Sequence, residues 1–324
     1  VEIRDVPVTL VCGHLGAGKT TALNHLLANR PTDERWAILV NEFGTVGIDG
    51  TILEGEDYAV KQIPGGCVCC TSGPQLQIHL VRTLREQRPD RVLIEPTGLA
   101  LPGAIVDMLR RPGMREALSM RAVISLVDPR KLDNPVLTDM EAFHAQTDAA
   151  DILVATHADV ASAEQLRAFR DWAGALWPPK VAIAEVAHGA IDPAWLELDP
   201  SPRETHAHHD HDHDHDHDHD HHTHVDSIGW VWPTSVAFER TLLIEGLQSL
   251  VDNPALPGGL LRLKGVFRTT RGWLLVQGTD SELSFRPFQH RRDSRVELLV
   301  PDDPPANAAA IEAIFDNAKW RPRR

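Results

Sequence analysis

Over its first two hundred residues the chain alternates short apolar runs with stretches of helical spacing, the sign of an α/β domain with a mostly parallel sheet. The runs Val8–Cys12, Trp36–Val40, Arg91–Ile94, Ala122–Val127, Ile152–Ala155 and Val181–Ala184 read as strands. Helices are expected to begin at Lys19 and near Pro74, Pro102 and Ser162. Ser72-x-x-Gln75 and Ser162-x-x-Gln165 have the form of capping boxes at two of those starts. The pattern stops at Asp199-Pro200-Ser201-Pro202, which leads into a stretch, His206 to His224, made almost wholly of His and Asp. Such a stretch has nothing to bury and reads as a solvated linker. Apolar alternation resumes at Trp230 and Trp232, followed by a helix around Arg240–Val251. Strands near Leu261–Arg268, Trp273–Gln277 and Val296–Val300 and a closing helix over Pro305–Ala318 complete a small α+β unit. The expected organisation is therefore a domain over 1–200, a linker over 201–226 and a second domain over 227–324.

Composition narrows the classes of partner. Among 324 residues, 42% are apolar and 24% charged, as in ordinary globular proteins, and the net charge is −14. Removing the six aspartates of the His/Asp stretch leaves −8, so the remainder is still acidic. An acidic field disfavours nucleic acid and anionic membrane surfaces and favours cationic ligands. No apolar run is long enough to span a bilayer. Glu2, Arg4 and Asp5 break up the N-terminal stretch, which is unlike a secretory signal, so a reducing cytoplasm is expected.

The strongest motif is Gly13-His14-Leu15-Gly16-Ala17-Gly18-Lys19-Thr20, set between a strand and a helix. It matches the phosphate-binding loop G-x-x-x-x-G-K-[ST], in which glycines turn backbone amides inward around phosphates. Gly13, Gly16, Ala17, Gly18 and Thr21 are expected to contact nucleotide. Lys19 is expected to reach the β and γ phosphates, and the Thr20 hydroxyl to ligate Mg2+. Glu95, at the end of the apolar strand Val92-Leu93-Ile94, is placed to hold the magnesium shell, and Gly98 to meet the γ-phosphate with its amide. Asn41-Glu42-Phe43-Gly44-Thr45-Val46-Gly47-Ile48-Asp49 suits a switch loop, with Asp49 either positioning water or touching the magnesium shell. The assigned catalytic residues are thus Lys19, Asp49 and Glu95.

Gly66-Cys67-Val68-Cys69-Cys70 places three of the four cysteines within four positions. That spacing suits thiolate ligands to zinc or cobalt better than a disulfide framework. Cys67, Cys69 and Cys70 supply three ligands, and either Glu42 or solvent supplies a fourth. Cys12 ends a buried strand and reads as a small core residue. The His/Asp stretch holds eleven histidines. Among them His208, His209, His211, His213, His215, His217, His219, His221 and His222 are expected to form weak, poorly selective sites for zinc, nickel, cobalt or copper. Thr156-His157-Ala158-Asp159 follows the strand Asp151–Ala155, where GTPases usually carry Asn-Lys-x-Asp. Asp159 can accept the guanine edge. Thr156 and His157 depart from the pattern, which bears on guanine specificity rather than on nucleotide binding. The tryptophans, Trp172, Trp177, Trp195, Trp230 and Trp232 among them, read as packing residues at domain edges.

Taken together, GHLGAGKTT, NEFGTVGID, GGCVCC and EPTG, in that order, resemble the CobW-type metallochaperone GTPases. The resemblance covers the first two hundred residues and continues through the His-rich linker to Leu261-Arg262-Leu263-Lys264-Gly265, which is similar to that family's C-terminal domain. It implies a P-loop GTPase domain with a smaller C-terminal α+β domain. It also implies GTP-dependent delivery of metal, most often zinc, to a client apoprotein, the metal carried at Cys67, Cys69 and Cys70. Phosphate and magnesium roles would fall to Gly16, Gly18, Lys19, Thr20 and Glu95, and base reading to Asp159. The C-terminal unit would either meet the client or support a homodimer. A metal buffer built on the histidines, a nucleotide-dependent enzyme with a structural thiol site, and a cobalt-handling role in a cobalamin pathway are the rival expectations.

Overall fold

The computed structural model describes residues 3–42, 58–64, 72–198, 225–251, 253–288 and 293–321. The chain divides into two compact units, Val1–Pro200 and Ser201–Arg324.

The first unit is built on strands β1 (Val6–Gly13), β2 (Trp36–Glu42), β3 (Tyr58–Pro64), β4 (Arg91–Glu95), β5 (Leu118–Val127), β6 (Ile152–Ala155) and β7 (Ala182–Glu185). All pair in parallel, in the order β3-β2-β4-β1-β5-β6-β7. Parallel pairing requires long crossovers, supplied by α1 (Lys19–Ala28), α2 (Ser72–Gln87), α3 (Pro102–Leu109), the short α4 (Pro135–Thr138), α5 (Glu141–Ala149) and α6 (Ala163–Ala175). Helices on both faces explain why the central strands are apolar on both sides. From β1, Val11 packs with Leu23 and Leu26 of α1, whereas Leu10 and Cys12 pack with Leu76, Leu80 and Leu84 of α2. Each fully buried leucine of this kind contributes about 1.5–3 kcal/mol.

The expected α/β fold is present, and all six strands and four helix starts of the first unit recur. The capping box at Ser162 is formed in both directions: the Gln165 amide donates to Ser162 Oγ (3.2 Å) and the Ser162 amide to Gln165 Oε1 (2.9 Å). The matching sequence at Ser72 opens α2, and its side chain lies outside the described atoms. Two elements have weaker sequence signals. Strand β3 interrupts its apolar run with Lys61 and Gln62 and takes its conformation from the ladder to β2. Helix α5 follows Met140, which offers no side-chain cap, yet Phe143, Gln146 and Thr147 are buried.

The second unit has an antiparallel sheet of β8 (Val225–Pro233), β9 (Arg262–Thr269), β10 (Gly272–Gly278), β11 (Leu283–Phe288) and β12 (Asp293–Pro301), ordered β11-β10-β9-β12-β8. Helices α7 (Arg240–Gln248) and α8 (Ala308–Ala318) contribute to its core. There Trp232 lies 5.1 Å from Phe315 and Phe238 lies 5.4 Å from Phe267, ring centre to ring centre. Trp232 is thus a centre of the core and not an edge residue as expected, because its ring fills the space between the sheet and α8. β11 has no counterpart in the sequence reading. It carries Pro287, which a sheet tolerates here because β11 is the edge strand. Among the described residues no helix is long and apolar enough to cross a membrane.

Candidate nucleotide-binding site

β1 sits at the centre of the parallel sheet with β4 on one side and β5 on the other. The chain crosses from β1 over β4 to reach β2 and later returns to the opposite side of β1. Such a reversal opens a crevice at the carboxyl ends of the strands. The loop 13–18 lies in that position. Gly16 and Gly18 take φ of +76° and +83°, a left-handed backbone that side-chain-bearing residues rarely adopt. The Ala17 amide donates to the His14 carbonyl at 3.0 Å, closing the turn. Gly18 then leads directly into α1, whose start has no side-chain cap, so the helix N-terminus presents its amides to an anion.

Lys19 is buried, and its Nζ donates to the carbonyls of Gly13 (3.0 Å) and His14 (3.4 Å), which draws the ammonium back along the loop. Glu95 ends β4 and is also buried. In the strand register it pairs with Val40 of β2, two residues before Glu42. Cys12 shows how close these charges lie. Burial, foremost, pushes its thiol up to about 12, with Lys19 opposing and Glu95 adding to the shift. The thiol is therefore protonated at neutral pH and packs as an apolar group, in line with its reading as a core residue.

The loop after β4 presses against the phosphate loop. A Cβ on Gly98 would stand 2.8 Å from the Leu15 amide nitrogen, so only glycine permits this approach. Gln146 of α5 fixes the loop from behind, its Nε2 donating to the carbonyls of Gly98 (3.0 Å) and Ala100 (3.2 Å). The Thr97 hydroxyl is shielded from solvent and has no hydrogen-bond partner among the described residues.

On the other side of β1, the turns after β5 and β6 meet. Asp128 follows β5 and caps the turn Pro129–Lys131, accepting from the Arg130 amide at 3.1 Å. Arg130 also donates from Nε (2.9 Å) and Nη2 (2.8 Å) to the two carboxylate oxygens. Burial pushes the Asp128 carboxyl up, but the Arg130 hydrogen bonds and the Arg130 and His157 charges outweigh it and hold it below its ordinary value. Lys131 extends to the phosphate loop: a Cβ built on Gly16 would lie 3.1 Å from its Nζ. His157, at φ +57°, sets its ring against Gly18, and its Nδ1 lies 2.9 Å from Thr156 Oγ1. Asp159 lies 3.8 Å from His188 Nδ1, on the loop after β7. The loop reaches this position because Val186 accepts from the Ala158 amide (3.2 Å).

The arrangement thus brings together Gly13, Gly16, Ala17, Gly18, Lys19, Thr20 and Gly98, with Glu95 at the adjacent strand end and Asp159 at the far side of the same rim. Gln146, Asp128, Arg130, Lys131 and His188 were not anticipated. Asp128-Pro129, at the end of an apolar run, was the one local sign available in the sequence; Gln146 and His188 carried none. Asp49, Cys67, Cys69, Cys70 and the histidines from His206 to His224 lie outside the described residues, as does the Glu42 side chain. Among the described residues no three His, Cys, Asp or Glu side chains converge as a metal site would require.

Similarity to known proteins follows the same division. The family model described as CobW/HypB/UreG, nucleotide-binding domain, matches residues 7–182. That described as cobalamin synthesis protein cobW C-terminal domain matches residues 228–319. The chain is 34% identical over 322 residues to the zinc chaperone YeiR of Escherichia coli (strain K12), covering 92% of this chain and 94% of that protein. It is 36% identical over 318 residues to the zinc chaperone CobW of Pseudomonas aeruginosa, covering 85% of this chain and 81% of that protein. The solved Zn(II)-bound YjiA GTPase from E. coli aligns over 98% of this chain and 100% of its own, at 22% identity and a TM-score of 0.47.

Proposed function

Because the chain belongs to the CobW/HypB/UreG family of P-loop GTPases, we propose that it hydrolyses GTP and uses that cycle to hold a soft divalent metal, zinc foremost, and deliver it to a client apoprotein. The observation that carries the nucleotide half is the phosphate loop, with the Lys19 ammonium held on the Gly13 carbonyl and a buried carboxylate, Glu95, ending the neighbouring strand. The metal half rests on Cys67, Cys69 and Cys70, whose donor chemistry suits zinc or cobalt, and on relatives that are zinc chaperones.

In this reading the loop amides of Gly16 and Gly18 cradle the phosphates, and Lys19 exchanges its carbonyl acceptors for phosphate oxygens. The hard oxygen donors of Thr20 and Glu95 suit Mg2+, and the Thr97 hydroxyl, two residues beyond Glu95, is a further polar group without a hydrogen-bond partner among the described residues. The ion would neutralise charge on the β and γ phosphates. Gly98 offers its amide toward the γ-phosphate, and Asp159 reads the guanine edge. Asp49 orients water. β2 and β3 end side by side, the Glu42–Pro64 pair being the last in register. The segments carrying Asp49 and the three cysteines therefore depart from one edge of the sheet. Ordering of the first segment by GTP and closure of the thiolate site, with Glu42 or water as fourth ligand, then follow as one event. Hydrolysis reverses both. The histidines collect metal at lower affinity.

The test is GTP hydrolysis by protein lacking residues 206–224, with and without one equivalent of zinc, alongside ATP. The expected result is GTP preference and a zinc-dependent rate that disappears in the Cys67→Ala/Cys69→Ala double variant. Tight zinc binding without any change in turnover would reduce the thiolates to a structural or buffering site.

A further inference from the structure

The phosphate-loop motif supplies one ammonium group, Lys19, yet the fold brings a second to the same loop from 112 positions further along the chain. Lys131 Nζ would lie 3.1 Å from a Cβ built on Gly16, so it stands against the backbone of the loop itself. Its position follows from the turn after β5. Pro129 opens that turn, Asp128 caps it, and the Lys131 amide donates to the Asp128 carbonyl at 3.1 Å. Both Asp128 carboxylate oxygens accept from the Arg130 guanidinium, and Lys131 Nζ stays 4.0 Å from the nearer one, beyond hydrogen-bond reach. Arg130 thus takes up the hydrogen-bonding capacity of the buried acid, and the half-exposed Lys131 keeps only a long ion-pair contact to Asp128 while its Nζ lies against the loop. His14 senses the same field: burial chiefly, and then Lys131 and Lys19, hold its imidazole below the ordinary value. Two ammonium groups beside the same few glycines form a locus for a polyanion.

We propose that Lys131 is a catalytic cation acting in cis on the polyphosphate of the bound nucleotide. The proposal rests on the nucleotide reading above and adds a residue outside its motifs. During hydrolysis water adds to the γ-phosphorus while the bond to the β,γ-bridging oxygen breaks. The electron pair stays on the β-phosphate and the proton of the attacking water passes to the released phosphate. Lys131 balances the negative charge that grows on the departing diphosphate. A preorganised cation that meets charge developing in the transition state raises kcat more than it tightens ground-state binding.

The experiment compares full-length wild type, Lys131→Ala, Lys131→Arg and Lys19→Ala for GTP turnover and for binding of GDP and a non-hydrolysable GTP analogue. Lys131→Ala is expected to lower kcat by about 10²-fold with KM shifted less than about threefold, and to weaken GDP, which carries the completed charge on its diphosphate, more than the non-hydrolysable GTP analogue. Lys131→Arg, which keeps the charge, is expected to recover most of the loss. Matched thermal unfolding of the variants shows that the loop has kept its fold. Wild-type turnover that persists undiminished in Lys131→Ala overturns the role of Lys131 alone. So does a loss in Lys131→Ala that Lys131→Arg fails to recover, because charge would then not be the cause. A wild type without GTP turnover or binding, indistinguishable from Lys19→Ala, overturns the nucleotide reading and this inference together.

Discussion

In the seven-stranded sheet of the first unit every strand runs the same way, so seven carboxyl ends lie along one edge and their loops share a rim. In the five-stranded sheet of the second unit neighbours alternate, and each edge receives a mixture of strand starts and strand ends. The polar chemistry follows this difference. Three of the four buried charged residues described in the first unit, Lys19, Glu95 and Asp128, stand at strand carboxyl ends or in the loops that leave them. The fourth, Arg91, opens β4 at the opposite edge, where it donates to the Leu196 carbonyl at 3.1 Å. The second unit has Asp293 as its buried charged residue among those described, and Arg295 on the same strand engages it with both nitrogens. That pair satisfies itself. Parallel topology gathers residues distant in sequence at one place, whereas antiparallel hairpins keep neighbours with neighbours and invest the interior in packing.

If the second unit's interior is given over to packing, damage there should cost stability and leave nucleotide binding alone. Phe315→Ala, which empties a site contacted by Trp230, Trp232 and Phe267, is expected to cost about 3–5 kcal/mol in that unit. Denaturant unfolding measures the loss, and titration with a GTP analogue should return the wild-type affinity. A weakened affinity would break the contrast between a binding sheet and a packing sheet.

Damage at the rim should have the opposite signature. Gly98→Ala puts a Cβ 2.8 Å from the Leu15 amide nitrogen, a backbone atom that can yield only if the phosphate loop moves. A stability loss of about 1–3 kcal/mol is expected, with at least roughly tenfold weaker binding of the GTP analogue. Unchanged binding would mean that the loop tolerates displacement and that the close approach is incidental.

The smallest effect expected is confined to acid. Asp128 has its carboxyl held below the ordinary value of 3.8, so its contribution to folding is present in full above that value. It is lost as pH falls through the lower folded-state value. The stability difference between wild type and Asp128→Asn should therefore be constant near neutrality and shrink on acidification below about pH 4. Urea midpoints taken across that range provide the check. A difference that persists unchanged to the lowest pH would assign the Asn effect to packing rather than to the ion pair with Arg130.

Much of the fold was legible because its signals are local. An apolar run read as a strand does so whatever its neighbours, and the capping box at Ser162 is complete within four residues. Most elements without a counterpart in the sequence reading borrow their structure: β3 from its ladder to β2, α5 from the burial of Phe143, and the edge strand β11 despite Pro287. The short α4 differs, since Asn134 caps it and Pro135 opens it locally. The site divides in the same way. Gly13 through Thr20 announce themselves, since spacing within one loop is enough to cradle phosphate. Gln146 and His188 do not, since a glutamine in a helix and a histidine in a loop have meaning only through what they touch.

From its sequence alone the chain determines the phosphate loop, the cluster of thiols, the His/Asp stretch and the alternation that makes the first domain α/β, because each is a property of residues within a few bonds of one another. The tertiary structure pairs β4, whose end at Glu95 the sequence already marks, directly with β1, and it alone decides that Gly98 lies against Leu15 and that Lys131 reaches Gly16. Those relations depend on strand order, and strand order is set by which apolar faces the crossover helices can bury rather than by any residue's neighbours in the chain.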